Sequence, residues 1–480
     1  MIESPLLPHL NGYIANNWVG ADSGATLAVT NPADGSHLAD VPRMGRNETV
    51  RAVEAATAAQ ERRSSLEQRK RWLLEIDRVL RANREEIGRI LTMEHGKPWK
   101  EAQGEVDYAA GFFRYCGENI HHLEPRTLEE QPKGCKWTVY HRPAGVVALI
   151  TPWNFPIGMI AKKLSAALAA DCASVIKPSS KTPLTMIALF TLLDRELDLP
   201  AGKVGLVTGP AGEITDTFFD QPSVRTVSFT GSTEVGRELI AKSSPGVKRL
   251  TLELGGNAPF IVFDDADLES AADNLIGNKF RGGGQTCVCA NRIFVQKSVA
   301  EEFAEKVAER VNKLAVGNGL EEGTDIGPLI DENAVAKVQR HVDDALAKGA
   351  RKMTERQLSG LGGTYYPPTV LLDVPSEAVC NREETFGPLV PMVTFDTDDE
   401  VVQKANDTEF GLASYVFTAD ESRGLGVIER LQFAHAGLNT GTGPTPEAPF
   451  GGMKQSGYGR EGGIEGLFEF TEAQTVPTAL

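Results

Sequence analysis

Cysteine is scarce and scattered, six in 480 residues with only Cys287 and Cys289 close together, so no disulfide framework is expected to hold this chain. Long apolar runs are missing as well. The longest stretches, such as Gly145–Ile150 and Ala166–Ala170, fall far short of a bilayer-spanning segment. The start, MIESPLLPHLNGYIANNW, has no basic stretch leading into an apolar one, so no signal peptide is expected. Positive charge is in deficit. A net charge of −16 repels phosphate backbones and argues against nucleic acid as a partner, although a local basic pocket for a small anion is compatible with it. The eight histidines lack ligand spacing, so no metal is expected, and no repeat or low-complexity segment is visible. These absences leave a chain with free thiols and no membrane contact, whose expected compartment is the cytoplasm.

What is present is ordinary globular composition, 41% hydrophobic and 24% charged, at a length that calls for two or three domains. From Gly145 onward, short β-branched runs alternate with helical stretches. The runs GVVALI (145–150), SVIKP (174–178), VGLVTG (204–209) and TVSFTG (226–231) read as strands. Pro156–Ala170 reads as a helix, and another is predicted to begin near Thr182 as cap with Pro183 in its first turn. This alternation predicts a parallel, doubly wound α/β sheet. Thr49–His95 reads as mainly helical. A second α/β alternation includes NAPFIVF (257–263), RIFVQ (292–296) and YVFTA (415–419). KWTVYHRP (136–143) and the tail FEFTEAQTVP (468–477) have β character but belong to neither run.

Several segments carry chemistry. GGGQTCVCAN (282–291) places Cys287 in a glycine-rich, open loop, as a thiol nucleophile requires; a free thiol of pKa ~8.5 is only partly ionised at neutral pH. Taken alone, such a cysteine is more often a buried structural one. Glu253 is the single acid in LTLELGGNAPF (250–260), at the end of an apolar strand. A carboxylate there is either an edge or ion-paired group or a general base with a raised pKa. Asn154 in ITPWNFP follows a strand at its carboxyl end. It suits either a turn or an amide donor to an oxyanion. FTGSTEVG (229–236) suits a phosphate at a helix N-terminus, although the pattern is weak. The GxGxxG at Gly457, Gly459 and Gly462 follows no strand and is rejected as a dinucleotide fingerprint.

The segments PWNFP (152–156), KPSSKTP (177–183), FTGSTEVG (229–236), LELGGNAPFIV (252–262), GQTCVCANR (284–292), EETFGP (383–388) and APFGGMKQSGYGRE (448–461), in this order over nearly the whole chain, resemble the aldehyde dehydrogenase superfamily. The resemblance implies a Rossmann-like cofactor domain (1–117 and 141–254), a second α/β catalytic domain (255–455) and a small β oligomerisation flap (118–140 and 456–480). It implies that Cys287 attacks an aldehyde and that Asn154 and the Cys287 N–H hold the oxyanion. Glu253 then activates water against the thioester. It also implies an NAD(P)⁺ site formed by Thr151, Pro152, Trp153, Lys177, Ser180, Gly209, Gly231, Ser232, Leu254, Glu384 and Phe386. Ser180 stands where NAD⁺-specific relatives often carry Glu; without that acid, and with Lys177 nearby, NADP⁺ is expected to be accepted and preferred over NAD⁺.

Within the superfamily the chain is most similar to the succinate-semialdehyde dehydrogenase branch, which grips a distal carboxylate with basic residues. Arg281 matches one of them. Lys162 stands in place of a second Arg, and Pro444, beside Thr445, in place of a Ser contact. The expected substrate is an anionic semialdehyde, with succinate semialdehyde joined by glutarate, 2-oxoglutarate or sulfonated analogues as alternatives. Cys289 is a redox-switch candidate: in extended backbone it would lie about 6.5 Å from Cys287 on one face. Passage of the thioester to coenzyme A, and a silent binding protein, are competing readings. The presence of Glu253, Cys287 and Asn154 argues against both. The resemblance also implies a homodimer or homotetramer built by edge-strand pairing.

Overall fold

Five consecutive apolar residues, Val146–Ile150, form a strand buried on both faces, which only a sheet covered on both sides accommodates. Val147 and Leu149 join one core cluster with Ile176 and Leu206, whereas Val146, Ala148 and Ile150 join another with Val175 and Val207. This two-residue alternation is the strand periodicity. The computed structural model describes residues 1–358 and 360–480. Val146–Ile150 lies between Ser174–Lys177 and Val224–Thr230, with Val204–Leu206 and Arg249–Glu253 outside them, all parallel. Antiparallel strands close both edges: Gly12–Ile14 with Asn17–Val19 on one, Gly457–Tyr458 on the other. The expected strands are therefore present and parallel. Gly457–Tyr458 is a correction, since it extends this sheet beside Leu252 and Glu253 rather than the flap.

The helix Pro156–Ala169 begins with Pro at its first position and is buried along its whole length, which its small residues allow. The next helix departs from expectation. It runs from Leu184 to Glu196 without a side-chain cap of its own, and the Thr182 hydroxyl has no partner. The carboxylate of Glu94 caps it instead, accepting from the Leu184 N–H at 2.7 Å and the Thr185 N–H at 2.9 Å. A distant acid thus satisfies the orphan donors that a local hydroxyl was expected to satisfy.

The second sheet is parallel through Thr369–Leu372, Leu389–Phe395, Ala290–Gln296, Ala258–Val262, Ala413–Phe417 and His435–Leu438, with Arg351–Lys352 antiparallel at its edge. The two unassigned β segments pair with each other. Cys135–Pro143 runs antiparallel to Thr471–Ala479 over nine positions, and Arg126–Thr127 flanks it as a third strand. Among the described residues no helix is long and apolar enough to cross a membrane.

Candidate active site

Two cavities meet at Cys287. One, of about 310 Å³, is walled by Glu101, Tyr108, Phe155, Lys162, Arg281 and Phe450. The other, of about 370 Å³, is a cleft walled by Trp153, Asn154, Ser232, Leu254, Glu384 and Phe386. Cys287 and Met159 border both. Cys287 sits on a turn after Gly282–Gly284, all three in left-handed conformations. A Cβ on Gly284 would lie 2.4 Å from the Gly387 carbonyl oxygen, and one on Gly256 would lie 2.3 Å from the Cys287 carbonyl oxygen. Glycine at these positions lets three loops converge on one sulfur.

The electrostatics of the thiol are unfavourable to its ionisation. Burial, then the charge of Glu384, pushes it up to about 12, with Lys162 opposing and Glu253 adding to the rise. Glu253 stands at the end of Arg249–Glu253, only 3% exposed, and neither carboxyl oxygen has a hydrogen-bond partner among the described residues. Burial first, and the nearby charge of Glu461 second, raise its pKa well above the usual carboxylate range. An unpartnered buried carboxyl is held protonated in this way. Glu461 is gripped by Lys163 Nζ at 2.6 Å and Lys162 Nζ at 3.7 Å. Asn154 donates Nδ2 to the Gln285 carbonyl at 3.0 Å, which fixes the amide and leaves its second N–H free of protein partners.

The residues of the first cavity, hereafter the tunnel, are brought together unequally. Arg281 has no side-chain hydrogen bond or ion pair among the described residues. Its Nε is buried and unpartnered, and its guanidinium lies 5.6 Å from the Phe155 ring centre. Lys162 lines the same cavity, with Nζ 4.1 Å above Phe450. Burial alone would lower its pKa, but acidic neighbours, Glu461 at 3.7 Å among them, outweigh it and keep the ammonium charged. Thr445 is a correction. It is exposed, its hydroxyl donates to the Glu447 carboxylate, and the cavity wall there is Pro444.

Cys289 requires a second correction. Residues 286–289 form a turn, closed by the Cys289 N–H on the Thr286 carbonyl at 3.2 Å, so the extended geometry expected for the pair is absent. The Cys289 thiol is buried, donates to the Gly284 carbonyl at 3.3 Å and lies 3.8 Å from Lys279 Nζ. Both cysteines are free thiols.

On the cleft side, Pro152, Trp153, Gly231, Ser232, Leu254, Glu384 and Phe386 line the wall. Ser232 caps the helix Thr233–Ser243 through its hydroxyl, leaving that N-terminus at the cleft, a favourable place for a phosphate. Phe386, with φ of 56°, meets Trp153 edge to face at 5.6 Å. Glu384 accepts from the Gly256 N–H at 3.2 Å, and burial pushes it up to about 7. Thr151, Lys177, Ser180 and Gly209 do not line this cavity; they pair with one another, the Thr151 N–H donating to the Lys177 carbonyl and Ser180 Oγ to the Gly209 carbonyl at 2.8 Å. Burial lowers Lys177 to about 8. The cleft fits a dinucleotide: a helix N-terminus for a phosphate and an aromatic pair, Trp153 and Phe386, beside Glu384.

Sequence reading missed Lys97, Glu101, Glu105 and Tyr108 on the tunnel, and Lys181, Asp331 and Lys337 on the cleft. Their helices and loops show ordinary solvent-type charge patterning, so nothing local distinguishes them. Glu461 lay inside a quoted motif, GYGRE, but only tertiary structure sets it beside Glu253.

A family model described as the aldehyde dehydrogenase family matches residues 18–476. The chain is 47% identical over 469 residues to the glutarate-semialdehyde dehydrogenase of Pseudomonas putida, covering 96% of each. It is 45% identical over 461 residues to a succinate-semialdehyde dehydrogenase, NADP(+), of Escherichia coli, covering 96% of this chain and 95% of that one. An oxidoreductase structure from Marinobacter aquaeolei superposes with a TM-score of 0.97 at 62% identity, covering 99% of this chain and 100% of that one.

Proposed function

Because the chain belongs to the aldehyde dehydrogenase family, we propose that it oxidises an anionic semialdehyde to the dicarboxylic or equivalent acid with NAD(P)⁺, through a thioester on Cys287. The observation that carries this reading is the meeting of two cavities at one sulfur, with a buried, unpartnered Glu253 alongside.

Aldehyde enters by the tunnel, where Arg281 has no protein partner to release before gripping a distal anion. Cys287 Sγ gives up its thiol proton to water and bonds to the carbonyl carbon, and the carbonyl π electrons move to oxygen. The free N–H of Asn154 and the Cys287 N–H stabilise that charge. NAD(P)⁺, held by Ser232, Glu384, Phe386 and Lys177, supplies the hydride acceptor when bound. Deprotonated Glu253 then takes a proton from water, whose oxygen attacks the thioester carbon, and Cys287 sulfur leaves. Lys177 together with Ser180 instead of an acid favours NADP⁺, as the name of the Escherichia coli relative does.

The glutarate and succinate semialdehyde names of the two relatives support a carboxylated substrate. Division into a cofactor domain (1–117, 141–254), a catalytic domain (255–455) and a flap of paired strands, with assembly into a homodimer or homotetramer in the cytoplasm, belongs to the same reading.

A panel of carboxylated, sulfonated and neutral aldehydes, assayed for kcat/KM with both cofactors, tests the substrate class. Carboxylated aldehydes are expected to lead by at least about tenfold, roughly one charged contact; equal values for neutral aldehydes of the same length would remove the assignment. Cys287→Ala is expected to yield no acyl adduct by mass spectrometry and no acid above background. Acid formation by that variant would end the thioester route.

A further inference from the structure

A lysine and a glutamate that the sequence did not point to are buried together in the tunnel wall. Lys97 and Glu105 side chains are each 1% exposed and pair at 2.6 Å. Every donor and acceptor of the pair has a use. Lys97 Nζ also donates to the main-chain carbonyl of Asn154 at 2.8 Å and lies 3.9 Å from the centre of the Phe155 ring. Glu105 turns its other oxygen to the Ile157 and Gly158 N–H groups, at 3.0 and 3.1 Å. These are orphan donors of the first turn of Pro156–Ala169, a helix without a side-chain cap of its own. One ion pair therefore pins residues 154–158, the segment that carries the Asn154 amide.

The clamp is anchored from the other domain. A Cβ on Gly327 would lie 1.9 Å from the Gly96 carbonyl oxygen, and the Trp99 N–H donates to the Gly319 carbonyl at 2.8 Å, so residues 319–327 press on the backbone on either side of Lys97. Asn154 in turn donates to Gln285 O, and Gln285 Oε1 accepts from the Ile330 N–H at 2.9 Å. The path from Lys97 through Asn154 and Gln285 to Ile330 closes on the same catalytic-domain segment. Asn154 is gripped at its carbonyl by one end of this ring and at its side chain by the other.

We infer that Lys97 is a positioning residue for acylation, holding the Asn154 amide at the height where the hemithioacetal oxygen develops, with Glu105 as the group that fixes the lysine. The inference rests on the roles proposed above for Cys287 and Asn154. A misplaced oxyanion donor costs rate, not binding, because its contact strengthens only as charge appears.

The test uses the full chain bearing Lys97→Met, which fills the space but cannot donate. First-turnover formation of reduced cofactor at saturating aldehyde is expected to slow on the order of tenfold to a hundredfold, with KM for aldehyde changed less than about threefold. Alkylation of Cys287 by iodoacetamide, a displacement that builds no oxyanion, is expected to stay within about twofold of the parent. A parental first-turnover rate, or alkylation slowed in parallel with it, overturns the inference. Should Lys97→Met fail to fold, Glu105→Gln keeps a carbonyl oxygen for the Ile157 and Gly158 N–H groups while discharging the partner of Lys97. The same split is expected there, and parental kinetics in that variant overturn the inference equally. If the parent forms no adduct at Cys287, the thioester reading fails and takes this inference with it; if the adduct forms but the split is absent, only the positioning role falls.

Discussion

At the scale of single residues, the site is a set of groups held in the wrong protonation state for their task. Cys287 is pushed up to about 12 and Glu253 well above an ordinary carboxylate, both by burial first. A base that begins protonated works better as pH rises, so steady-state turnover limited by thioester hydrolysis is expected to increase with pH through the raised pKa of Glu253. Glu253→Gln is expected to keep the first turnover while losing steady-state acid formation and accumulating acyl-enzyme. A variant with parental turnover would show that another base serves. At the cofactor end, burial lowers Lys177 to about 8, so a 2′-phosphate loses its counter-ion as the lysine deprotonates. KM for NADP⁺ is expected to rise above that pH more steeply than KM for NAD⁺. Ser180→Glu sets a carboxylate in its place and is expected to shift the kcat/KM ratio toward NAD⁺ by at least about tenfold, one lost charge contact. An unmoved ratio would separate Ser180 from cofactor choice.

Among the elements, the helix Leu184–Glu196 has the most unusual support. Its cap, Glu94, is wholly enclosed and pushed up to about 8, burial outweighing the hydrogen bonds from Thr185 and Leu184. The folded state therefore binds a proton that the unfolded chain, with a carboxyl of pKa about 4.3, releases much earlier. That contribution, on the order of 5 kcal/mol, is fully present below pH ~4 and is lost as pH rises through about 8. Glu94→Gln is neutral at every pH. Relative to the parent, its Tm is expected to improve by a few degrees between pH 5 and 9. A parallel pair of Tm curves would mean that Glu94 titrates as an exposed acid does.

For the molecule as a whole, the three-stranded sheet presents an open edge. Thr471–Ala479 pairs on one side with Cys135–Pro143, and its residues are mostly exposed along the strand. Unpaired backbone donors and acceptors along nine residues invite another strand. Sedimentation of the intact protein is expected to give a multiple of the 51.8 kDa chain, and a chain ending at Phe470 is expected to give smaller particles. An intact protein sedimenting as a single chain would remove the assembly proposal.

Periodicity and punctuation in the sequence were sufficient for the parallel strands and for the helix at Pro156, because β-branched runs and a proline-started apolar helix express local preferences that the core then reinforces. They also singled out Cys287, Glu253 and Asn154, since glycine-rich loops and a lone acid in an apolar strand are chemical anomalies visible in one dimension. Arg281 and Lys162, which only the family resemblance pointed to, line the tunnel wall. Only the tertiary structure decided the rest. Thr445 turns its hydroxyl to Glu447 while Pro444 lines the cavity, and Cys289 sits in a turn closed on the Thr286 carbonyl. Lys97, Glu105 and Glu461 acquire their meaning from partners between 8 and 298 residues away, and a charged side chain in sequence carries no sign of whether water or a carboxylate will surround it. Burial, which sets the pKa values and selects the pairs, exists only once distant segments have packed.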